Sequence, residues 1–135
     1  MEIIFMLPPP PSLNDARIAI RLKKKGARIT DSPELRAWKE MAKIELAAQN
    51  VELPEWIKKT QQNKQCLVFI VEWWGKHWYK NGKPKRRDLD NRIKFLMDAV
   101  FNYIELDDSL VFDLRLVKIE KDTDEEYCIC KIKPL

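Results

Sequence analysis

The order of hydrophobic periods along this 135-residue chain predicts an α+β fold, a mixed β-sheet with two main helices packed on it. Three observations carry that prediction. The run Cys66–Trp74 is nearly all apolar, as a central, buried strand should be. Two stretches, about 33–49 and 89–103, repeat apolar residues at steps of three and four. Short alternating or β-rich segments fill both ends, for an overall order β-β-β-α-β-α-β-β. The length is that of one domain, so residues 1–135 are read as a single unit.

In order, Glu2–Leu7 reads as a strand, stopped by Pro8–Pro11 because proline offers no N–H to a ladder. Arg17–Leu22 alternates charged and apolar residues, Lys23–Gly26 is a turn, and Ala27–Thr30 is its hairpin partner. Asp31-Ser32-Pro33-Glu34 is a helix start, with a capping side chain and Pro at the first helical position. Leu35, Trp38, Met41 or Ala42, and Leu46 then mark the buried face. Residues 50–64, broken by Pro54 and rich in Lys and Gln, read as a loop. After the central strand, Gly75–Arg87 is polar and basic. The second helix follows, with Ile93, Leu96, Met97, Val100 and Ile104 on one face. Leu110–Lys118 and Glu126–Ile132 read as strands joined in a hairpin through the acidic turn Asp122–Glu125.

Composition removes several function classes. Apolar runs such as Leu67–Val71 fall far short of the roughly 20 residues a membrane span needs. Glu2 and the short stretch before Pro8 do not make a secretory signal, so the expected location is the cytoplasm, without membrane attachment. Cys66, Cys128 and Cys130 are an odd set; the last two share a face of one strand and read as reduced core thiols. His77 is the only histidine, which argues against a His-based zinc site or a His-dependent hydrolase; in its basic loop it reads as a surface residue. The net charge of +4 is unevenly spread. Residues 1–87 carry 18 Lys/Arg against 9 Asp/Glu, whereas residues 88–135 carry 7 against 12. A basic first part suits a polyanion, and the acids of the second part need another role.

Three constellations could carry chemistry. In Arg86-Arg87-Asp88-Leu89-Asp90-Asn91, two acids stand where a loop becomes a helix, so both side chains can reach one point. On this motif alone helix capping is the stronger reading, with Asp88 as cap and Asp90 at the positive end of the dipole. Leu106-Asp107-Asp108 lies beyond the other end of the same helix. Its acids meet the first pair only if their loop folds back or leads into a strand returning there. Clustered carboxylates without His or Cys suit Mg²⁺ or Mn²⁺. Finally, Gly75–Arg87 holds six Lys/Arg and no acid, namely Lys76, Lys80, Lys83, Lys85, Arg86 and Arg87, interleaved with Trp78 and Tyr79. Cations for phosphates and rings for unstacked bases are what nucleic acid needs. Trp73 reads as core; for Trp78 and Tyr79 both core and DNA contact stay open.

Lys85-Arg86-Arg87-Asp88-Leu89-Asp90-Asn91, with Lys94 and then Asp98-Ala99, strongly resembles the RusA family of Holliday-junction resolvases. The likeness continues through Leu106-Asp107-Asp108, Val111-Phe112-Asp113 and Arg115-Leu116-Val117-Lys118, and more loosely in the proline-rich Leu7–Asn14. The resemblance implies a small homodimeric Mg²⁺-dependent endonuclease of bacteria, their phages and prophages, acting in DNA recombination and repair. It places the catalytic, metal-binding carboxylates on Asp88, Asp90 and Asp108, with Asp107 as the alternative to Asp108, and a functional lysine on Lys94. The implied substrate is four-way junction DNA, cut by paired symmetric nicks, rather than a small molecule. The rivals are a nuclease for other branched DNA and a catalytically inactive DNA-binding module. For a dimer interface the chain offers Ile3–Met6, Pro8–Pro11, Trp38 and Trp56.

Overall fold

The apolar run in the middle of the chain is the strand with a partner on each edge. The computed structural model describes residues 2–12, 17–22, 26–63, 65–87 and 90–135. Along them run β1 (Ile3–Leu7), β2 (Arg17–Leu22), β3 (Gly26–Asp31), α1 (Pro33–Ala48), α2 (Trp56–Asn63), β4 (Leu67–Gly75), α3 (Asp90–Ile104), β5 (Val111–Glu120) and β6 (Tyr127–Pro134). One turn of 3-10 helix, Asp108–Leu110, precedes β5. The main sheet has the order β1-β6-β4-β5, and β2 and β3 pair as a separate antiparallel ribbon. β4 is parallel to β5 and antiparallel to β6, so the sheet is mixed and the fold is α+β as expected.

One face of the sheet is the core. Ile3, Phe5, Leu7, Leu67, Phe69, Val71, Trp73, Cys128, Cys130 and Ile132 are all buried there, at the alternate positions a strand directs to one side. Burial pushes the Cys128 thiol up to about 12 and Cys130 well above its usual value, so both are inert thiols. α1 starts where the sequence predicts. The Ser32 hydroxyl accepts the Leu35 N–H at 3.1 Å and Pro33 occupies the first turn. Its face of Leu35, Trp38, Ala42 and Leu46 is buried. α3 buries Ile93, Leu96, Val100 and Ile104, and also Phe95 and Phe101; Phe101 meets Phe69 edge to face at 5.6 Å.

Four expectations are corrected. Residues 56–63 are helical: Ile57 and Thr60 turn inward, and Thr60 Oγ1 donates to the Trp56 carbonyl at 2.6 Å. Two inward residues are too few to give a period readable in a polar sequence. β5 and β6 do not form a hairpin, because β4 lies between them. The acidic segment 122–125 therefore crosses the end of β4, where Lys76 pairs with Asp122 at 3.4 Å and Asp124 at 3.0 Å. His77 is buried rather than exposed. Trp38 belongs to this chain's own core, its indole N–H donating to the Pro8 carbonyl at 3.1 Å, and is not free for an interface. On β1, Ile4 and Met6 do point outward. At Met6 the strand edge is capped, since the Gln49 side-chain amide bonds both its N–H and its carbonyl, at 2.7 and 2.6 Å.

β4, α3 and β5 form a crossover between parallel strands. α3 runs opposite to β4, with Arg92 beside Trp73 and Phe101 beside Phe69. Its start therefore sits where β4 finishes, and its end sits where β5 begins.

Candidate carboxylate sites and nucleic-acid interface

The start of α3 is built around Trp73. This residue is 3% exposed at the end of the buried strand, and the guanidinium groups of Arg87 and Arg92 lie 5.3 and 4.8 Å from its ring centroid. Arg87 is paired with Glu126, and the Arg92 Nε–H donates to the Pro10 carbonyl at 3.1 Å. These contacts bring the proline-rich segment, the end of β4 and the first turn of α3 around one cleft of about 330 Å³. Arg92 and Glu126 were not foreseen from the sequence. Their partners lie tens of residues away, and no local spacing signals them.

Asp90 is the first residue of α3 and is exposed, at the helix end where the dipole favours a carboxylate. Lys94 is exposed one turn later. Four residues bring it to the same side of the helix as Asp90, though the two form no ion pair. Asp88 falls outside the described residues.

The other acids of the expected set lie elsewhere. Rising about 1.5 Å per residue, α3 carries Ile104 about 21 Å along its axis from Asp90. The Leu106 N–H then donates to the Phe101 carbonyl at 3.1 Å, which holds the chain at that far end as it enters Asp107. Asp107 caps the 3-10 turn. Its carboxylate accepts the Ser109 N–H at 2.9 Å, and that bond holds its pKa below the usual carboxylate value. Asp108 follows, exposed. The loop does not fold back, so one chain sets Asp90 and Asp108 at opposite ends of α3. Among the described residues no three His, Cys, Asp or Glu side chains converge as a metal site.

The basic segment is divided by its surroundings. Lys76 is held by Asp122 and Asp124, which raise its pKa, and Arg87 is taken up by Glu126 and Trp73. Lys80, Lys83 and Arg86 are exposed without an ion pair to a described residue, and Lys85 lies 6.0 Å from the Tyr79 ring. Four of the six expected cations are therefore available to an anionic partner. Trp73 is core, as its place in the strand predicts, while Trp78 and Tyr79 are exposed.

Among the described residues no helix is long and apolar enough to cross a membrane. A comparison with curated proteins finds no match. Residues 9–127 match the family described as Endodeoxyribonuclease RusA, which covers the proline-rich segment, both ends of α3 and the basic loop. The match spans nearly the whole chain, and the protein belongs to the RusA endodeoxyribonuclease family.

Proposed function

We propose that the protein is a Mg²⁺-dependent endonuclease that resolves four-way DNA junctions by paired symmetric nicks, acting as a homodimer in the cytoplasm during recombination and repair. Family membership supports a nuclease acting on branched DNA. The observation that carries the finer reading is the placement of Asp90 and Lys94, both exposed, on one side of the start of α3, directly after the segment that holds the exposed Lys80, Lys83 and Arg86.

The donor set, Asp88, Asp90 and Asp108 with Asp107 beside it, is all carboxylate oxygen and fits Mg²⁺, with Mn²⁺ able to substitute. A bound divalent ion polarises a phosphate and lowers the pKa of water. Lys94 would place its ammonium against charge developing on the scissile phosphate. Because one chain holds Asp90 and Asp108 at opposite ends of α3, a complete set draws Asp88 and Asp90 from one protomer and Asp108 from its partner. Two such centres related by a two-fold axis match the symmetry of a four-way junction. The test is incubation of a synthetic mobile junction with and without Mg²⁺, beside a flap and a linear duplex. Symmetric nicks on the junction alone, dependent on Mg²⁺, are expected. Junction binding without nicking, or preferential flap cutting, would refute the reading.

A further inference from the structure

The segment after β4 is an ordered hairpin. The Lys85 N–H donates to the His77 carbonyl at 2.7 Å, the Tyr79 N–H to the Lys83 carbonyl at 2.8 Å and the Gly82 N–H to the Tyr79 carbonyl at 3.0 Å. Trp78 and Pro84 face each other as a bridge pair, and the Asn81 side chain accepts the Lys83 N–H at 3.0 Å. Gly82 turns the tip at φ +82°, a conformation that favours glycine. His77 roots the hairpin in the core. Its N–H donates to Glu120 at 2.7 Å, its Nε2 bonds the Trp73 carbonyl at 2.8 Å, and its ring meets Trp73 edge to face at 5.1 Å.

On this anchored scaffold Trp78 and Tyr79 are each 53% exposed, although the sheet's own core lies just below. Both rings therefore stand in solvent at adjacent positions of the hairpin, Trp78 at its bridge pair and Tyr79 at the start of its turn. Lys80, Lys83, Lys85 and Arg86 flank them along the chain, four cations against the nearby acids Asp122 and Asp124, of which Lys76 offsets one charge. A hydrogen-bonded tip with two exposed rings and an excess of positive charge is complementary to nucleobases that have lost a stacking neighbour, flanked by phosphates.

We propose that this hairpin is a branch-point probe: Trp78 and Tyr79 stack on bases unstacked at the crossing of DNA arms, while Lys80, Lys83 and Arg86 hold the adjoining phosphates. This rests on the branched-DNA reading above and names the part that tells a junction from a duplex. The assay is Mg²⁺-free binding of the full chain to an immobile four-way junction carrying 2-aminopurine at the crossing, and to a linear duplex of the same composition. Trp78→Ala and Tyr79→Ala should each weaken junction binding about tenfold and reduce the 2-aminopurine change, leaving duplex binding within about twofold. Trp78→Phe, which keeps a stacking face, should restore most of the junction preference. Equal losses on junction and duplex, or unchanged junction binding in the folded double variant, would overturn the proposal. A wild-type protein that nicks junctions while the double variant keeps full junction affinity refutes the probe alone. Failure of the wild type to nick any junction with Mg²⁺ refutes the resolvase reading instead.

Discussion

Mixing two singly inactivated chains tests whether one catalytic centre draws its acids from two protomers. Asp90→Asn and Asp108→Asn each remove one carboxylate, at opposite ends of a helix whose 15 residues span about 21 Å of axis. Two ligands of one Mg²⁺ cannot bridge that span, since metal–oxygen bonds are only about 2.1 Å. Each variant alone should fail to cleave while still binding junctions, because removing a negative charge reduces repulsion of phosphate. In a mixed dimer, the chain that retains Asp90 meets the partner that retains Asp108, so one of two centres is restored. Random reassortment of equal amounts makes about half the dimers mixed, so about a quarter of the wild-type centres return. They should yield single nicks on a junction without paired resolution. The assay is denaturing electrophoresis of a labelled junction after the two variants are exchanged through mild denaturant. If both centres were built within single chains, every centre in the mixture would lack one acid and no nicking would return. That outcome would refute the shared-site argument.

Other outcomes follow from the same geometry. Lys94→Ala should lower the single-turnover nicking rate by tenfold or more, roughly, with junction affinity little changed, since Lys94 is argued to act on transition-state charge. Equal loss of affinity would make it a phosphate anchor. Replacing Lys80, Lys83 and Arg86 with Ala should flatten the slope of log affinity against log salt by up to about 2.7, at about 0.9 per phosphate contact. Lys76→Ala should move that slope far less, because Asp122 and Asp124 already hold the ammonium. Burial holds the His77 pKa below the usual 6.5, so the unfolded chain takes up this proton first as pH falls. Stability should therefore drop as pH falls through 6.5 toward the lower folded value, by at most about 1.4 kcal/mol per pH unit, and show no dependence from this group above it. Thermal melts at pH 8 and 5.5 check this, with His77→Gln expected to reduce the difference.

The parts of the fold written in short-range pattern could be read from the sequence. The cap at Ser32 and Pro33, the spacing of Leu35, Trp38, Ala42 and Leu46, and the apolar run of β4 each report neighbours within a turn or a strand. Asp88, Asp90 and Lys94 lie within seven residues, so the likeness to the family motif is also short-range, though spacing alone reads the two acids as helix caps. Tertiary structure decided what depends on distant partners. Strand order is one case: nothing in the acidic 122–125 segment says that β4 intervenes between β5 and β6. The uses of the basic segment are another, because Lys76 and Arg87 are neutralised by acids about 40 residues or more away, through no local spacing. His77 is buried by Glu120 and the Trp73 backbone, neither visible in its polar surroundings. Above all, acids that look like one cluster along the chain are held apart by the rigid length of α3. A helix rises about 1.5 Å per residue whatever its side chains are for, and that rise separates Asp90 from Asp108.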